Sequence, residues 1–218
     1  MLKQRVIETN DGIQDALDVQ VFDRFARNMR DKGWNNVESI IGAGVTGKEA
    51  LEIGPGPGYV GLEWLKRCEN AVLTGCEISP EMIRLAQRNA ETYGFSARVC
   101  YVEGNAMRLP FADESFDAVF SNGSLHEWED AVAVFSEIGR VLRPGGRYCI
   151  TDMRRDVNPL LAKWIGSTTK PKEIRPGFWT SLDASYTVSE LEALLKTSAL
   201  RNAAVKAEFF GLCVSGGK

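Results

Sequence analysis

Apolar residues recur along this chain with two periods, one typical of strands and the other typical of helices. Short apolar runs of strand length alternate with longer segments of helical spacing, and such repeated units predict a parallel sheet with helices on both faces and right-handed crossovers. The predicted strands are 48–53, 71–77, 97–104, 116–122 and 147–153, and the predicted helices are 11–32, 59–69, 80–93 and 129–142.

Local signals fix some of these boundaries. Ser79 and Pro80 are residues typical of a helix start, Glu81 suits its first turn, and Gly94 suits its end. A loop containing Gly42, Gly44 and Gly47 is expected between the first predicted helix and the first predicted strand.

The chain changes character after the fifth predicted strand. Residues 153–186 are rich in Lys, Arg, Pro, Gly and Trp and are expected to be irregular. Thr187 and Glu190 form a capping-box pattern for a helix over 188–198, and 203–216 can supply two short strands. The whole pattern predicts an α/β fold: a doubly wound, mostly parallel seven-stranded sheet with an antiparallel edge strand.

Composition narrows the class of protein. A chain of 218 residues fits a single domain with a full core. The net charge of −3 and pI near 5.4 imply no strongly basic face, so nucleic acid is not expected as a partner. No apolar run is long enough to span a bilayer and the N-terminus lacks a secretory signal, so we expect a cytoplasmic protein with no membrane partner.

The cysteines are expected to be reduced. Their number is odd, they are widely scattered, and most lie in or beside apolar runs, which favours core packing over a disulfide framework or a zinc site. They are Cys68, Cys76, Cys100, Cys149 and Cys213.

The most informative string is ALEIGPGPGYVG at 50–61, where a predicted strand runs into a glycine cluster. Gly54, Gly56 and Gly58 precede the next predicted helix. Glycine adopts backbone angles that other residues resist and lets a ligand approach the main chain. Ligands of open α/β sheets bind beyond the carboxyl ends of the strands, so the loop should line a nucleotide-like site. A turn with only a packing role is the alternative.

An acidic residue follows at a spacing that suits the same ligand. Glu77 ends the second predicted strand about 20 residues after the loop, where a carboxylate can accept both hydroxyl groups of a ribose. Gly56, Gly58 and Gly61 also fit G-x-G-x-x-G, a weak pattern by itself. These residues alone do not separate a dinucleotide from another adenosyl ligand.

A family resemblance distinguishes between these two kinds of ligand. The string EIGPGPG at 52–58 resembles the first motif, D/E-x-G-x-G-x-G, of class I S-adenosylmethionine (SAM)-dependent methyltransferases. Three further segments resemble that family in the same order: CEISPEMIRLAQRNA, EGNAMRLPFADESFDAVFSNGSLHEWED and EIGRVLRPGGRYCITD. The resemblance covers about 48–152, and VFDRFARNM is similar to the lid helix of small-molecule members.

The resemblance implies SAM as cofactor, no metal, and a set of binding residues. Asn105 stands where the family usually has Asp to meet the adenine amino group, and it keeps an acceptor oxygen without the charge. Alternatives without a ligand stay open for three of these residues: Ile78 as a core residue, Glu52 as a solvated strand end and Asn122 as part of a turn. The implied contacts are Gly54, Gly56 and Gly58 with methionine and ribose, Glu52 near the methionine amino group, Glu77 with ribose, Ile78, Asn105 and Ala106 with adenine, and Ser121 and Asn122 facing the sulfonium and the acceptor.

His126 is the only histidine and is expected at the start of the helix after the fourth strand, at the mouth of this site. An ordinary pKa near 6.5 would suit a general base for an oxygen or nitrogen acceptor. Family members often have a histidine here without using it chemically, so helix bracing is the alternative.

Two segments are expected to close over the site of one domain. They are an N-terminal helical lid within 1–47 and a cap at 153–186, flanking the SAM-binding core at 48–152 and followed by a C-terminal helix and strands at 187–218. The basic and aromatic side chains of the cap suggest a small-molecule acceptor that is anionic or planar, or else simply a solvated cap. Rival hypotheses are a non-catalytic SAM-binding partner or sensor and an NAD(P)-dependent oxidoreductase, although no Tyr-x-x-x-Lys constellation occurs.

Overall fold

A computed structural model describes residues 4–7 and 13–218 of the chain. Seven strands form one sheet in the order β3-β2-β1-β4-β5-β7-β6. The first five strands pair in parallel, and β7 pairs antiparallel with both β5 and β6. The strands are β1 Glu49–Ile53, β2 Val72–Glu77, β3 Val99–Glu103, β4 Phe116–Asn122, β5 Leu142–Met153, β6 Ala204–Ala207 and β7 Gly211–Gly217.

Helices cover both faces of this sheet. The α-helices are α1 Ala16–Asp31, α2 Val37–Gly42, α3 Tyr59–Arg67, α4 Pro80–Tyr93, α5 Ala131–Val141, α6 Pro159–Thr168, α7 Arg175–Ala184 and α8 Val188–Leu195. Two 3-10 turns lie at Leu125–Glu127 and Lys172–Ile174. None of the helices in the described ranges is long and apolar enough to cross a membrane.

Each face of the sheet buries its own apolar cluster because side chains alternate between faces along a strand. Leu51 and Val119 contribute to the cluster that contains residues of α5 and α8. Ala50 and Phe120 contribute to the opposite cluster, which contains residues of α2 and α3. The predicted doubly wound, mostly parallel sheet is confirmed.

The strand order reverses between β1 and β4. From β1 the chain moves outward to β2 and β3, then returns to place β4 on the other side of β1. The carboxyl ends of β1, β2 and β4 therefore meet at one edge, and ligands of open α/β sheets bind at such a crevice.

The expectation that 153–186 is irregular was wrong. The segment contains α6 and α7, joined by a 3-10 turn. Asn158 caps α6 through bonds from the backbone N–H groups of Leu160 and Leu161, and Pro159 occupies its first turn. This Asn-Pro start is a signal that could have been recognised from sequence. A third, smaller core lies beneath these helices, formed by Val157, Ala162, Phe178 and Leu182.

Other boundaries also differ from expectation. The loop expected at 33–47 contains α2, whose Val37 and Ile40 are fully buried. The helix expected at 11–32 is α1, capped by Asp15, and residues 11–12 lie outside the described part of the chain. The helix at 129–142 begins only at Ala131, and the one at 188–198 ends at Leu195.

Candidate active site

The glycine loop leaves β1 at the switch in strand order. Gly54, Gly56 and Gly58 have φ values of +65°, +52° and +81°, a left-handed region that disfavours residues with a Cβ. The Gly54 N–H donates to the Cys76 carbonyl at 2.9 Å, which ties the start of the loop to the end of β2. The loop then leads directly into α3, so the first N–H groups of that helix face the same edge.

Glu77 lies against this loop. Its Oε2 accepts a hydrogen bond from the Gly56 N–H at 2.9 Å, and its Oε1 accepts one from the Ser79 N–H at 3.0 Å. The residue is buried, which raises the pKa of its carboxyl, while these N–H groups act in the opposite direction. The structure thus brings the acid at the end of β2 and the glycine loop together.

Glu52 lies beneath the loop rather than at its surface. Its side chain is only 2% exposed and packs against Gly61 of α3, where a Cβ would come within 2.2 Å of Glu52 Oε2. That oxygen has no hydrogen-bond partner among the described residues. Burial is the main cause that raises the pKa of Glu52, to about 8; the Gly61 N–H acts against it and the Glu77 charge adds to it.

Tyr101 was not expected from sequence as part of this site. It lies opposite Gly75 on β2, and its ring occupies the space that a Gly75 Cβ would take, 2.6 Å from Tyr101 Cδ1. Its Oη would lie 2.5 Å from a Cβ at Gly58 and has no partner among the described residues. Burial and the Glu52 charge raise the pKa of Tyr101. The glycine in the middle of β2 was the available sequence signal, since such a residue often marks a close approach.

The segment after β3 lies beside Glu77. The Gly104 N–H donates to the Glu77 carbonyl at 2.9 Å, which places Asn105 and Ala106 at the same edge as the half-buried Ile78. Asn105 is exposed, and its side-chain oxygen accepts from the Met107 N–H at 2.8 Å. In this structure that oxygen closes a local turn, and its contact with adenine stays a prediction.

The end of β4 braces the glycine loop from the other side. The fully buried Ser121 donates its hydroxyl to the Ile53 carbonyl at 2.8 Å, and Ser124 donates to the Gly54 carbonyl at 3.2 Å. Asn122 Oδ1 accepts from Asn36 Nδ2 at 2.8 Å and from Thr151 Oγ1 at 2.9 Å. Ser121 and Asn122 lie at the predicted edge with their polar atoms bonded to protein, and their contact with ligand stays a prediction.

His126 was expected at the start of a helix. It lies instead in the 3-10 turn that precedes α5. Its Nδ1 is 3.0 Å from both carboxylate oxygens of Asp152, and its backbone N–H donates to Asp152 Oδ2 at 2.8 Å. Both residues are buried. Asp152 on β5 was not singled out from sequence, because 26 residues separate the pair and only the pairing of β4 with β5 brings them together.

Residues 51–150 match a family described as a methyltransferase domain. The chain is 36% identical over 107 residues to Methyltransferase GfsG of Streptomyces halstedii, covering 49% of this chain and 38% of that protein. It is 30% identical over 122 residues to a demethylmenaquinone methyltransferase of Deinococcus radiodurans, covering 56% of this chain and 50% of that protein. The chain thus spans half or less of the length of these relatives.

Residues 51–150 thus belong to a methyltransferase domain, and this match supports the resemblance to the class I SAM-dependent methyltransferases. The fold agrees with that of a solved SAM-dependent methyltransferase from Aquifex aeolicus, with a TM-score of 0.68, 16% identity and coverage of 93% of this chain and 98% of that one. The resemblance noted in the sequence is confirmed at the level of family and fold.

Helix α1, in the segment where a lid was expected, lies over the glycine loop. Phe22 Cε1 lies 3.6 Å from the position of a Cβ at Gly56, so the ring rests on the glycine loop. Tyr59, the first residue of α3, donates its hydroxyl to Asp23 Oδ1 at 2.8 Å. The Ser79 hydroxyl donates to the Ile13 carbonyl at 2.6 Å. This hydrogen bond holds the residues before α1 on the side of the site where Glu77 lies.

The basic and aromatic residues of the cap do not all face the site. Arg155 is buried, where it donates to the Ser185 carbonyl and, at 2.5 Å, to Glu190 Oε1. Phe178 and Tyr186 are buried, whereas Trp164 and Trp179 are exposed. Part of the composition that suggested an anionic or planar acceptor therefore serves the fold of the cap.

Proposed function

We propose that this chain transfers a methyl group from SAM to a small-molecule acceptor with an oxygen or nitrogen nucleophile. The observation that carries the proposal is the contact between Glu77 and the Gly56 N–H. This contact places a carboxylate, which can accept hydrogen bonds from hydroxyl groups, beside a glycine turn that a ligand can approach. Family membership supports the same cofactor.

The residues present fit an adenosyl cofactor. Glu77 would hold the ribose, and the glycine loop would lie along the ribose and methionine. Ile78 and the 105–106 segment would contact the adenine. The buried, unpartnered oxygen of Glu52 provides a polar group beneath the loop for the methionine end. When bound, SAM supplies a methyl group already activated by its sulfonium.

We propose His126 as the general base. Asp152 accepts from its Nδ1–H, and this hydrogen bond would fix the tautomer that presents Nε2 as the proton acceptor. Asp152 also stabilises the imidazolium formed when a proton is taken from the acceptor. It acts through His126, and is therefore a positioning residue. Closure of α1 over the loop would exclude water while the nucleophile is aligned.

Calorimetry tests the cofactor. We expect S-adenosylhomocysteine and SAM to bind and NADH not to bind, and Glu77→Gln to weaken S-adenosylhomocysteine binding at least tenfold. Glu103→Gln is the matched control, because Glu103 pairs with Glu77 in the β2–β3 register but is exposed. Equal binding by the two variants would remove the foundation of the proposal. Preferential binding of NADH would favour the oxidoreductase hypothesis.

A product assay for S-adenosylhomocysteine across an acceptor panel tests catalysis. We expect His126→Gln to lower kcat at least a hundredfold with an unchanged affinity for S-adenosylhomocysteine, in line with the contribution of a general base. Asp152→Asn should shift the acidic limb of the pH–rate profile. Full activity in His126→Gln would assign the histidine to bracing. Cofactor binding without turnover of any acceptor would favour the sensor hypothesis.

A further inference from the structure

Helix α6 carries more apolar surface than its own core uses. Leu161, Ala162 and Ile165 point inward to the small core of the cap. Leu160 and Trp164 lie four positions apart and therefore share the opposite face of the helix, where they are 79% and 59% exposed. A leucine and a tryptophan side by side in water form an apolar patch that calls for a partner.

A second exposed aromatic residue lies against the same helix. Gly166 lets α7 approach closely, since a Cβ there would come within 2.6 Å of Trp179 Cζ2. The Trp179 indole packs on α6 at this point and is still 41% exposed. Exposed apolar side chains of the cap therefore occur on both of its helices.

The segment that contains α6 carries charges of one sign. Residues 157–172 contain Lys163, Lys170 and Lys172, all exposed, and no acidic residue, although the whole protein has a net charge of −3. The acids at either end of this segment lie beside arginines: Asp156 Oδ1 is 3.7 Å from Arg154 Nε, and Glu173 Oε1 is 3.3 Å from Arg24 Nη2. We define the cap face as Leu160, Trp164, Trp179 and these three lysines.

The combination suits one kind of partner. Tryptophan concentrates at the interface between lipid and water, and lysine side chains beside it reach anionic headgroups. Amphipathic helices with aromatic and apolar residues flanked by lysine lie in that interface without crossing the bilayer. A two-fold dimer through the same face would instead bring lysines close to lysines, because each copy presents the same patch.

We propose that the cap face docks this protein onto the surface of an anionic lipid bilayer. The inference is independent of the proposed function. It departs from the expectation of no membrane partner, which rested on the absence of a spanning segment, since peripheral docking requires none. Helix α7 packs against the 3-10 turn that holds His126, so docking would bring the candidate active site close to molecules dissolved in the bilayer.

Vesicle co-sedimentation of the full chain tests the proposal. The probes are vesicles of pure phosphatidylcholine and vesicles with about one third phosphatidylglycerol, at low and high salt. We expect binding to the anionic vesicles that weakens at least tenfold at high salt, because exposed charges are screened. Leu160→Ser with Trp164→Ser should reduce that binding at least tenfold. The three lysines changed to Gln should remove its salt dependence.

Trp34→Ser is the matched control. Trp34 is also 59% exposed and also has a lysine beside it, with Lys32 Nζ 4.8 Å from its ring centroid, but it lies outside the cap. We expect it to bind vesicles as the wild type does. Unchanged S-adenosylhomocysteine affinity and circular dichroism would establish that the variants are folded.

Three results of the vesicle assay would overturn the proposal. The first is a wild type that does not bind anionic vesicles. The second is a Trp34→Ser variant that loses as much vesicle binding as the cap-face variants do. The third is cap-face variants that bind as well as the wild type. Sedimentation velocity in the absence of lipid tests whether a second copy of the chain binds the cap face instead. A dimer that dissociates in the Leu160→Ser, Trp164→Ser variant would assign the face to a second copy of the chain and likewise overturn docking to lipid.

Discussion

At the scale of single residues, the burial of Glu52 has a measurable consequence. The resemblance of the glycine motif identified it as the leading acid of that motif, with a solvated strand end as the alternative. The structure places it under α3, against Gly61, with a pKa of about 8. Removing a carboxylate from water favours its neutral form unless charges or donors compensate.

The pH dependence of stability follows from this pKa. Between about pH 4.5 and 8, the unfolded chain releases the Glu52 proton while the folded protein keeps it, so the wild type should lose stability as pH rises. The slope for one proton is roughly 1.4 kcal/mol per pH unit. Glu52→Gln cannot release the proton and should lack this contribution.

Urea unfolding of the ligand-free protein at pH 5, 6, 7 and 8 measures this difference. Glu49→Gln is the control, since Glu49 lies on the same strand but is exposed at its other end. It should follow the wild type. Parallel loss of stability with pH in the wild type and in Glu52→Gln would contradict the assigned pKa.

At the scale of elements, local chemistry determined most of what could be predicted. The capping box at α8 is present, with the Glu190 N–H donating to Thr187 Oγ1 at 3.1 Å and the Thr187 N–H donating to Glu190 Oε2 at 2.8 Å. Ser79 caps α4 and Gly94 ends it in a left-handed conformation, as expected. These signals act within four residues and need no tertiary contact. Short helices such as α2, whose stability comes from buried side chains, gave no comparable signal.

The glycine loop combines such a local requirement with a tertiary one. Gly94 and Gly58 have similar φ values, +73° and +81°, but only at Gly58 would a Cβ clash, at 2.5 Å from Tyr101 Oη and 3.2 Å from Ala86 Cβ. Gly94→Ala should cost about 1–2 kcal/mol of stability and leave cofactor binding intact. Gly58→Ala should cost more and weaken S-adenosylhomocysteine binding at least tenfold.

Calorimetry and urea unfolding of both variants separate the two effects. Adding Tyr101→Phe to Gly58→Ala removes the closest atom and should recover part of the lost affinity. Equal behaviour of Gly58→Ala and Gly94→Ala would mean that φ alone matters and that the loop does not depend on Tyr101.

At the scale of the whole molecule, the cap is a small unit attached to the larger unit formed by the sheet and the helices that cover it. Its core is separate from the two clusters that flank the sheet, and its fit depends on Gly166. A Cβ at Gly166 would lie 2.6 Å from Trp179 Cζ2 and 2.9 Å from Phe178 Cε1, whereas at Gly177 it would meet nothing within 4 Å. Overpacking of this kind costs about 1–3 kcal/mol.

Gly166→Ala should therefore loosen the cap without altering the cofactor site. Hydrogen exchange should become faster in α6 and α7 and stay unchanged in β1 and β2, with the same affinity for S-adenosylhomocysteine. Gly177→Ala, on the same cap, should leave exchange in α6 unchanged. Faster exchange throughout the sheet in Gly166→Ala would show instead that cap and sheet form one cooperative unit.

The amino-acid sequence by itself determined the order of the strands and of helices α1, α3, α4, α5 and α8, the glycine loop after β1, the acid at the end of β2 and the caps of α4 and α8. Each of these depends on backbone preferences encoded within a few neighbouring residues. The tertiary structure alone decided which distant side chains meet: Tyr101 beneath Gly58, Asp152 beside His126, and the Sγ atoms of Cys149 and Cys213 3.4 Å apart. Such contacts follow from strand order and register, and these are set by the packing of the whole sheet.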